Sequence, residues 1–227
     1  EMAATGTIKV PRPICFGSAG YNAYAVFEKL DLGGRGDTAA FRELGRQLAR
    51  MHRCTSPDGR YGFHLDNTIG ATPQPNPWTD DWCSFWMEHR LKHMLRLMAR
   101  QGYSMDKKTE QQFIARAEEV LRGHEAQASL VHGDLWGGNR AFTPDGPAIY
   151  DPATYYGDRE VDIAMTYMFG GFNGAFYDGY NEEWPLPEGH QLRRYLYNWY
   201  HYANHVVLFG GSYWNGVTSH AQSVIRG

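Results

Sequence analysis

The segment HGDLWGGN at residues 132–139, with YDP following at residues 150–152, most constrains how this chain folds. It places Asp134 five residues before Asn139, and Asp151 twelve residues after Asn139. An aspartate that orients a hydroxyl, together with carboxylate and amide oxygens that ligate Mg²⁺, is the set that serves metal-assisted phosphoryl transfer. Such groups act together only if the fold returns Asp151 to Asn139.

The residues around the motif predict this return. The apolar run SLV at residues 129–131 indicates a short buried strand, after which the HGD segment leaves as a loop. Phe142 continues a second strand, TPDG at residues 143–146 is a turn sequence, and residues 147–150 form the partner strand. We therefore expect a β-hairpin that brings Asp151 beside Asn139.

Further motifs give the segment from residue 130 to residue 172 a specific resemblance. The general pattern HGDxxxxN is accompanied by WGG at residues 136–138, DPATYYGDRE at 151–160 and LFGGSY at 208–213. With these additions the chain resembles the fructosamine kinase (ketosamine 3-kinase) family, within the kinase-like group that includes aminoglycoside and choline kinases. The resemblance extends from about Gly6 to the C-terminus.

The resemblance implies an α+β, protein-kinase-like fold, consisting mainly of the helical C-terminal lobe with a small catalytic β-hairpin. Residues 1–30 would be a remnant of the N-terminal lobe and hinge, and residues 31–227 the C-terminal lobe with the acceptor pocket. Hydrophobic spacing and capping residues predict helices that begin near Asp37, near Thr79 to Asp81, and over 106–122. Further helices are expected over residues 161–168, 175–182, 191–208 and 217–225, and a long loop over 55–77.

The same resemblance implies roles for individual residues. Asp134 would be the catalytic base, and Asn139 and Asp151 would hold Mg²⁺. The backbone around Glu28, Lys29 and Leu30 would hydrogen-bond the adenine of ATP.

Supporting roles are expected for four further residues. Trp136 either forms a wall of the acceptor pocket or packs on the helical lobe, and Trp214 is a weaker candidate for the same pocket. His132 either holds the catalytic loop, which we favour, or contributes to the active-site surface. Asp162 either caps a helix or, as the resemblance favours, braces the backbone of the catalytic loop.

Other polar residues receive plainer interpretations. Asp158 and Glu160 are expected to be surface or helix-start charges. His201 with His205, and His89 with His93, have the i,i+4 spacing of zinc ligands, but the HExxH glutamate is absent and core or surface histidines are favoured.

Composition excludes several classes of protein. A net charge of −3 argues against a dominant nucleic-acid surface, and three cysteines without a CxxC motif make neither a disulfide framework nor a zinc site. No apolar run approaches the 18 residues of a membrane span, so we expect no membrane partner and a cytoplasmic location. The sequence leaves the oligomeric state open.

The beginning of the chain limits the expected activity. Lys9 and Lys29 are the only lysines in the first 90 residues, and neither has the strand setting of the lysine that holds ATP phosphates in protein kinases. We expect a fragment, a partial gene product or a pseudokinase that lacks most of the N-terminal lobe, and this fragment alone to be inactive.

The complete enzyme implied by the resemblance is an ATP-dependent kinase that phosphorylates the sugar O3 of small or protein-bound fructosamines or ribulosamines, a deglycation reaction. The alternatives are another kinase-like phosphotransferase, acting on an aminoglycoside, choline or a sugar, and an inactive binding module.

Overall fold

The computed structural model describes all 227 residues, Glu1–Gly227, and has an α+β composition. The helices are α1 (Thr38–His52), α2 (Trp82–Trp86), α3 (Lys92–Arg100), α4 (Lys107–Arg122), α5 (Glu160–Thr166), α6 (Gly174–Glu183), α7 (His190–Phe209) and α8 (Trp214–Arg226). The strands are β1 (Pro13–Ala19), β2 (Asn22–Phe27), β3 (Asn67–Ile69), β4 (Thr72–Gln74), β5 (Ser129–Val131), β6 (Arg140–Thr143), β7 (Gly146–Ile149) and β8 (Tyr155–Gly157). They form four antiparallel pairs, β1–β2, β3–β4, β5–β8 and β6–β7.

The chain divides into two compact units. The first comprises Glu1–Cys54, Gly137–Asp151 and Gly171–Pro185. The second comprises Thr55–Trp136, Pro152–Gly170 and Leu186–Gly227.

In the first unit, α1 packs closely against α6. A Cβ atom added at Gly45 would lie 2.0 Å from the carbonyl oxygen of Phe176, so only glycine permits this approach. Asp37 caps α1 through the backbone N–H of Ala40 at 2.8 Å. The β1–β2 hairpin leaves large apolar side chains exposed, among them Phe16.

In the second unit, α2, α3, α4, α7 and α8 enclose an aromatic core. Trp86 and Trp199 are fully buried there, and Trp199 packs on Phe113 with ring centroids 4.9 Å apart. Asp81 and Asp106 cap α2 and α4 with their carboxylates. In the β5–β8 pair, Val131 lies opposite Tyr155, which places the end of β5 beside the chain that leads into α5.

Most of the expected elements are confirmed. Strand β5 and the β6–β7 hairpin lie where the sequence predicted them, and the seven expected helices are present with ends shifted by up to three residues or with a π-helical turn (Met87–Leu91) between α2 and α3. The predicted long loop contains a short hairpin, β3–β4, and strands β1 and β8 were not predicted. The lobe boundary at residue 30 stays a prediction. No helix is both long enough and apolar enough to cross a membrane.

Candidate active site

The segment that follows β5 is held in place by hydrogen bonds to its backbone. The carboxylate of Asp162, fully buried on α5, accepts the backbone N–H of His132 at 2.7 Å and that of Gly133 at 2.8 Å. The carbonyl of His132 accepts the backbone N–H of Ala153 at 2.9 Å. Asp162 therefore fixes the direction in which the loop leaves the strand.

Gly133 is required at the point where the loop turns. Its φ of 82° lies in the left-handed region, and a Cβ atom there would be 2.1 Å from the carbonyl oxygen of Ala153. Gln74 on β4 donates to this same carbonyl at 3.0 Å. Sequence reasoning missed Gln74, because nothing in its local pattern distinguishes it from an ordinary loop residue.

Asp134 follows this turn and is half-buried. Its backbone N–H donates to Nδ1 of His132 at 3.2 Å, and its carbonyl accepts the backbone N–H of Trp136 at 3.1 Å. His132 is fully buried, which agrees with the loop-holding interpretation of this residue. Backbone contacts on both sides of Asp134 thus restrict the position of its carboxylate.

Asn139 and Asp151 belong to the first unit and meet at the open end of the β6–β7 hairpin. The side-chain Nδ2 of Asn139 donates to the backbone carbonyl of Asp151 at 3.3 Å, and the carbonyl of Asn139 accepts the N–H of Tyr150 at 3.0 Å. The expected return of Asp151 to Asn139 is confirmed.

Asp151 also has an unusual backbone conformation. Its φ of 55° makes it the single non-glycine residue in the left-handed region, and its side chain is exposed. Aspartate tolerates this conformation better than most residues, and such strain concentrates at functional sites. An exposed carboxylate suits Mg²⁺, which prefers oxygen ligands and retains several waters.

The segment expected to contact adenine begins at the end of β2. The backbone N–H of Glu28 donates to the carbonyl of Arg12 at 2.9 Å, whereas Glu28 and Lys29 have exposed side chains. Glu28 also lines a cavity of about 480 Å³ in the first unit. Another lining residue, Lys9, binds Asp145 of the β6–β7 turn at 2.8 Å, so its ammonium group is engaged in an ion pair.

Trp136 lies at the start of a continuous row of aromatic side chains in the second unit. Its ring is 40 % exposed and meets Phe169 edge-on at 6.2 Å. Phe169 contacts His205 at 5.1 Å, and His205 in turn contacts Phe209 and Tyr213. We call Trp136, Phe169, His205, Phe209 and Tyr213 the aromatic row; sequence reasoning identified only Trp136 among them.

Trp214 has different surroundings. Its ring is half-buried and packs against Tyr103 with centroids 5.7 Å apart, at the edge of the core. Such packing accounts for Trp214 without a ligand.

The expectation of surface charges at Asp158 and Glu160 is wrong. These residues are only 2 % and 3 % exposed, although Glu160 does begin α5. Burial and the neighbouring Asp158 carboxylate raise the pKa of Glu160 to about 7, against the opposing effect of Arg193. Burial is the largest single influence on the pKa of Asp158 and acts to raise it. The hydrogen bond and the charge of His124, together with the hydrogen bonds from Tyr197 and the backbone N–H of Glu160, outweigh burial and leave the pKa of Asp158 lowered.

The pair of histidines on α7 has structural surroundings. On α7, His201 is buried, and Nδ1 of His205 lies 2.8 Å from the carbonyl of His201. Burial lowers the pKa of His201 to about 3, so this side chain is neutral at physiological pH.

Comparison with solved structures identifies the class of protein that has this fold. Over 98 % of its length the chain matches the crystal structure of a Haemophilus somnus protein, provisionally named a fructosamine-3-kinase, with a TM-score of 0.89, 27 % identity and 75 % of that chain covered. The whole of the present chain also matches 80 % of a choline/ethanolamine kinase family protein from Mesorhizobium loti, with a TM-score of 0.60. The sequence identity is 13 %, so this match supports the fold alone. The fold is that of the kinase-like phosphotransferases.

Sequence comparison identifies the family within this class. The family model described as fructosamine kinase matches residues 1–226, and the chain belongs to this family. It is 48 % identical to a "probable ketoamine kinase" of Synechocystis over 93 % of the chain and 71 % of that protein. It is 39 % identical to the chloroplastic protein-ribulosamine 3-kinase of Arabidopsis thaliana over 99 % of the chain and 69 % of that protein.

Proposed function

We propose that this protein is an ATP-dependent ketosamine kinase, which transfers the γ-phosphoryl group of ATP to the O3 hydroxyl of a fructosamine or ribulosamine. The observation that carries the proposal is a family match over residues 1–226 in a chain that retains Asp134, Asn139 and Asp151 in ordered surroundings. The two relatives described above are named for ketoamines and ribulosamines, which supports this acceptor class. A cytoplasmic location stays a prediction.

Asp134 is the proposed base. Its carboxylate would accept the proton of the acceptor hydroxyl as the oxygen bonds to phosphorus and the bond to the ADP oxygen breaks. Because backbone hydrogen bonds hold the residues around Asp134, its carboxylate is positioned before the substrate arrives.

Asn139 and Asp151 are the proposed ligands of Mg²⁺, through the amide oxygen and the carboxylate. Bound Mg²⁺ would neutralise charge on the phosphates during transfer. Because Nδ2 of Asn139 donates to the Asp151 carbonyl, the amide oxygen would be the ligating atom. The backbone at Glu28 to Leu30 is the proposed adenine contact.

The aromatic row is the proposed acceptor-binding surface. It begins at Trp136, two residues from the proposed base, and continues along α7 to Phe209, which is 63 % exposed. Aromatic faces bind the apolar faces of a sugar, and they attract the protonated amine of a ketosamine by a cation–π interaction. Trp214, which packs against Tyr103 instead, is the weaker candidate.

A substrate panel tests the proposal. The protein expressed from its complete coding sequence is incubated with Mg-ATP and fructosyl-lysine, ribulosyl-lysine, choline, an aminoglycoside or free fructose, and the products are assigned by ³¹P NMR. We expect phosphorylation of the two ketosamines at O3. Turnover of choline, the aminoglycoside or fructose, without turnover of either ketosamine, would contradict the proposed acceptor class.

A further inference from the structure

A cluster of buried charges lies at the N-terminal end of α5, outside the proposed phosphotransfer groups. It comprises Asp158 between β8 and α5, Glu160 at the start of α5, Arg193 on α7, and His124 after α4. Both carboxylates are almost fully buried, and so is Arg193. Buried charges are costly unless they are paired, so this cluster requires a structural explanation.

Glu160 and Arg193 form a two-pronged ion pair. The Nε of Arg193 donates to one carboxylate oxygen of Glu160 and a terminal nitrogen donates to the other, both at 2.8 Å. The guanidinium group also donates to the carbonyl of Glu188 at 3.0 Å. A planar fork with two parallel bonds fixes both distance and orientation, which a single point charge does not. The pair thus ties the first residue of α5 to α7.

Asp158 forms the second attachment. It accepts the hydroxyl of Tyr197 on α7 at 2.6 Å, lies 2.8 Å from Nε2 of His124, and accepts the backbone N–H of Glu160 at 3.0 Å. His124, Asp158 and Glu160 lie close enough together to hold a metal ion. However, Arg193 already binds both oxygens of Glu160, so a cation there would have to displace a buried guanidinium group. An ion-pair cluster is the better interpretation.

The helix anchored in this way carries Asp162. Two residues beyond Glu160, Asp162 accepts the backbone N–H groups of His132 and Gly133, immediately before Asp134. A rotation or shift of α5 would move the Asp162 carboxylate and, with it, the loop. Arg193 is therefore connected to the residues that precede the proposed base by its ion pair with Glu160, by the backbone of α5, and by the hydrogen bonds of Asp162.

We infer that Arg193 and Glu160 are positioning residues for phosphoryl transfer, which hold α5 so that Asp162 keeps the Asp134 loop in its reactive position. This inference rests on the proposed function. It assigns to the pair a role in kcat, exerted through Asp162, rather than a contact with either substrate.

The test compares Arg193→Met, Arg193→Lys and Glu160→Gln with the matched control Arg194→Met, in the protein expressed from its complete coding sequence. Arg194 is the adjacent residue on α7, and its guanidinium group lies over the ring of Tyr167 at 4.5 Å. We expect Arg193→Met and Glu160→Gln to lower kcat at least about thirtyfold, with KM for ATP and for the ketosamine changed less than threefold. Arg193→Lys should retain part of the activity, because lysine supplies charge but not the fork. The control should stay within twofold of wild type.

Two measurements separate positioning from general stability. Hydrogen exchange should become faster at the amides of His132 and Gly133 in Arg193→Lys, while the amides of α4 keep their protection. In a double-mutant cycle, Arg193→Met added to Asp162→Asn should cause little further loss of kcat, because both substitutions act on the same hydrogen bonds.

Wild-type kcat in a folded Arg193→Met variant would overturn the inference, and so would fully multiplicative losses in the cycle. If Arg193→Met does not fold, the same hydrogen-exchange and kcat measurements on Arg193→Lys test the inference instead. Absence of ketosamine kinase activity in the wild-type protein would instead contradict the proposed function, so the two failures are distinguishable.

Discussion

The side-chain amide of Asn139 donates a hydrogen bond to the backbone carbonyl of Asp151, 3.3 Å away, although 12 positions separate the two residues. The β6–β7 hairpin creates this proximity, because its strands pair from Arg140 opposite Ile149 to the turn at Gly146. A contact that closes the base of a hairpin gives both proposed Mg²⁺ ligands a fixed relation to each other.

Removal of one proposed Mg²⁺ ligand should change the metal requirement. Asp151→Asn keeps a side chain that tolerates the left-handed backbone at this position but removes the negative charge. We expect the Mg²⁺ concentration for half-maximal activity to rise about tenfold or more, as measured by titration at saturating ATP. Asp145→Asn, at the exposed turn of the same hairpin, is the control and should leave the Mg²⁺ requirement unchanged. An unchanged requirement in Asp151→Asn would remove Asp151 from the metal site.

The aromatic row should contribute to acceptor affinity. Trp136→Ala should raise KM for a ketosamine about tenfold, which corresponds to about 1.4 kcal/mol, because a stacking surface for the sugar is lost. Trp214→Ala is the matched control: it should lower the melting temperature, since this ring packs on Tyr103, and change KM little. A raised KM in Trp214→Ala with an unchanged KM in Trp136→Ala would indicate that Trp214, not Trp136, contacts the acceptor.

Gly133 should be among the least replaceable residues. Gly133→Ala places a Cβ atom 2.1 Å from a backbone carbonyl and imposes a positive φ on alanine, so we expect a loss of about 3 kcal/mol or more in the free energy of unfolding. Gly6→Ala is a matched control, because its φ is 62° with nothing within 4 Å of the added atom. It should lose only about 1 kcal/mol in chemical denaturation. Equal losses of unfolding free energy in the two variants would show that the Ala153 carbonyl moves to accommodate the added Cβ atom.

His201 should make the fold sensitive to acid. Its pKa of about 3 in the folded chain lies below the usual value near 6.5, so the unfolded chain binds a proton between these pH values and the folded chain does not. Stability is therefore lost as the pH falls from 6.5 toward 3, with about 2 kcal/mol lost by pH 5 from this group.

Urea denaturation at pH 8 and pH 5 measures this loss. In His201→Gln the difference between the two pH values should shrink by about 2 kcal/mol, whereas His64→Gln, at an exposed position, should behave like the wild type. An undiminished difference in His201→Gln would mean that other groups cause the acid sensitivity.

The sequence was sufficient to predict elements with strong local signals. Asp37, Asp81 and Asp106 stand directly before helices with regular apolar spacing, and all three cap those helices. The hairpin was predictable because a turn sequence separates two short apolar segments. Strand β1 was not, because most of its side chains are exposed and no alternation of apolar and polar residues marks it.

The supporting residues of the site were harder to predict. Glu160 and Arg193 are 33 positions apart, and neither local periodicity nor composition indicates that two charges will pair in the interior. Charged residues are rarely buried, so a surface position is the natural expectation for Asp158 and Glu160. The aromatic row was missed for a similar reason, since its members come from the catalytic loop, the chain after α5, and α7 with the segment that follows it.

The central claim, phosphoryl transfer to a ketosamine through Asp134, is tested most directly by the steady-state kinetics of Asp134→Asn in the protein expressed from its complete coding sequence. The variant preserves size and removes the proton acceptor, so kcat should fall by about 10² to 10⁴, while Mg-ATP affinity and the melting temperature stay near wild type. A folded Asp134→Asn variant that phosphorylates fructosyl-lysine at the wild-type rate would contradict the account.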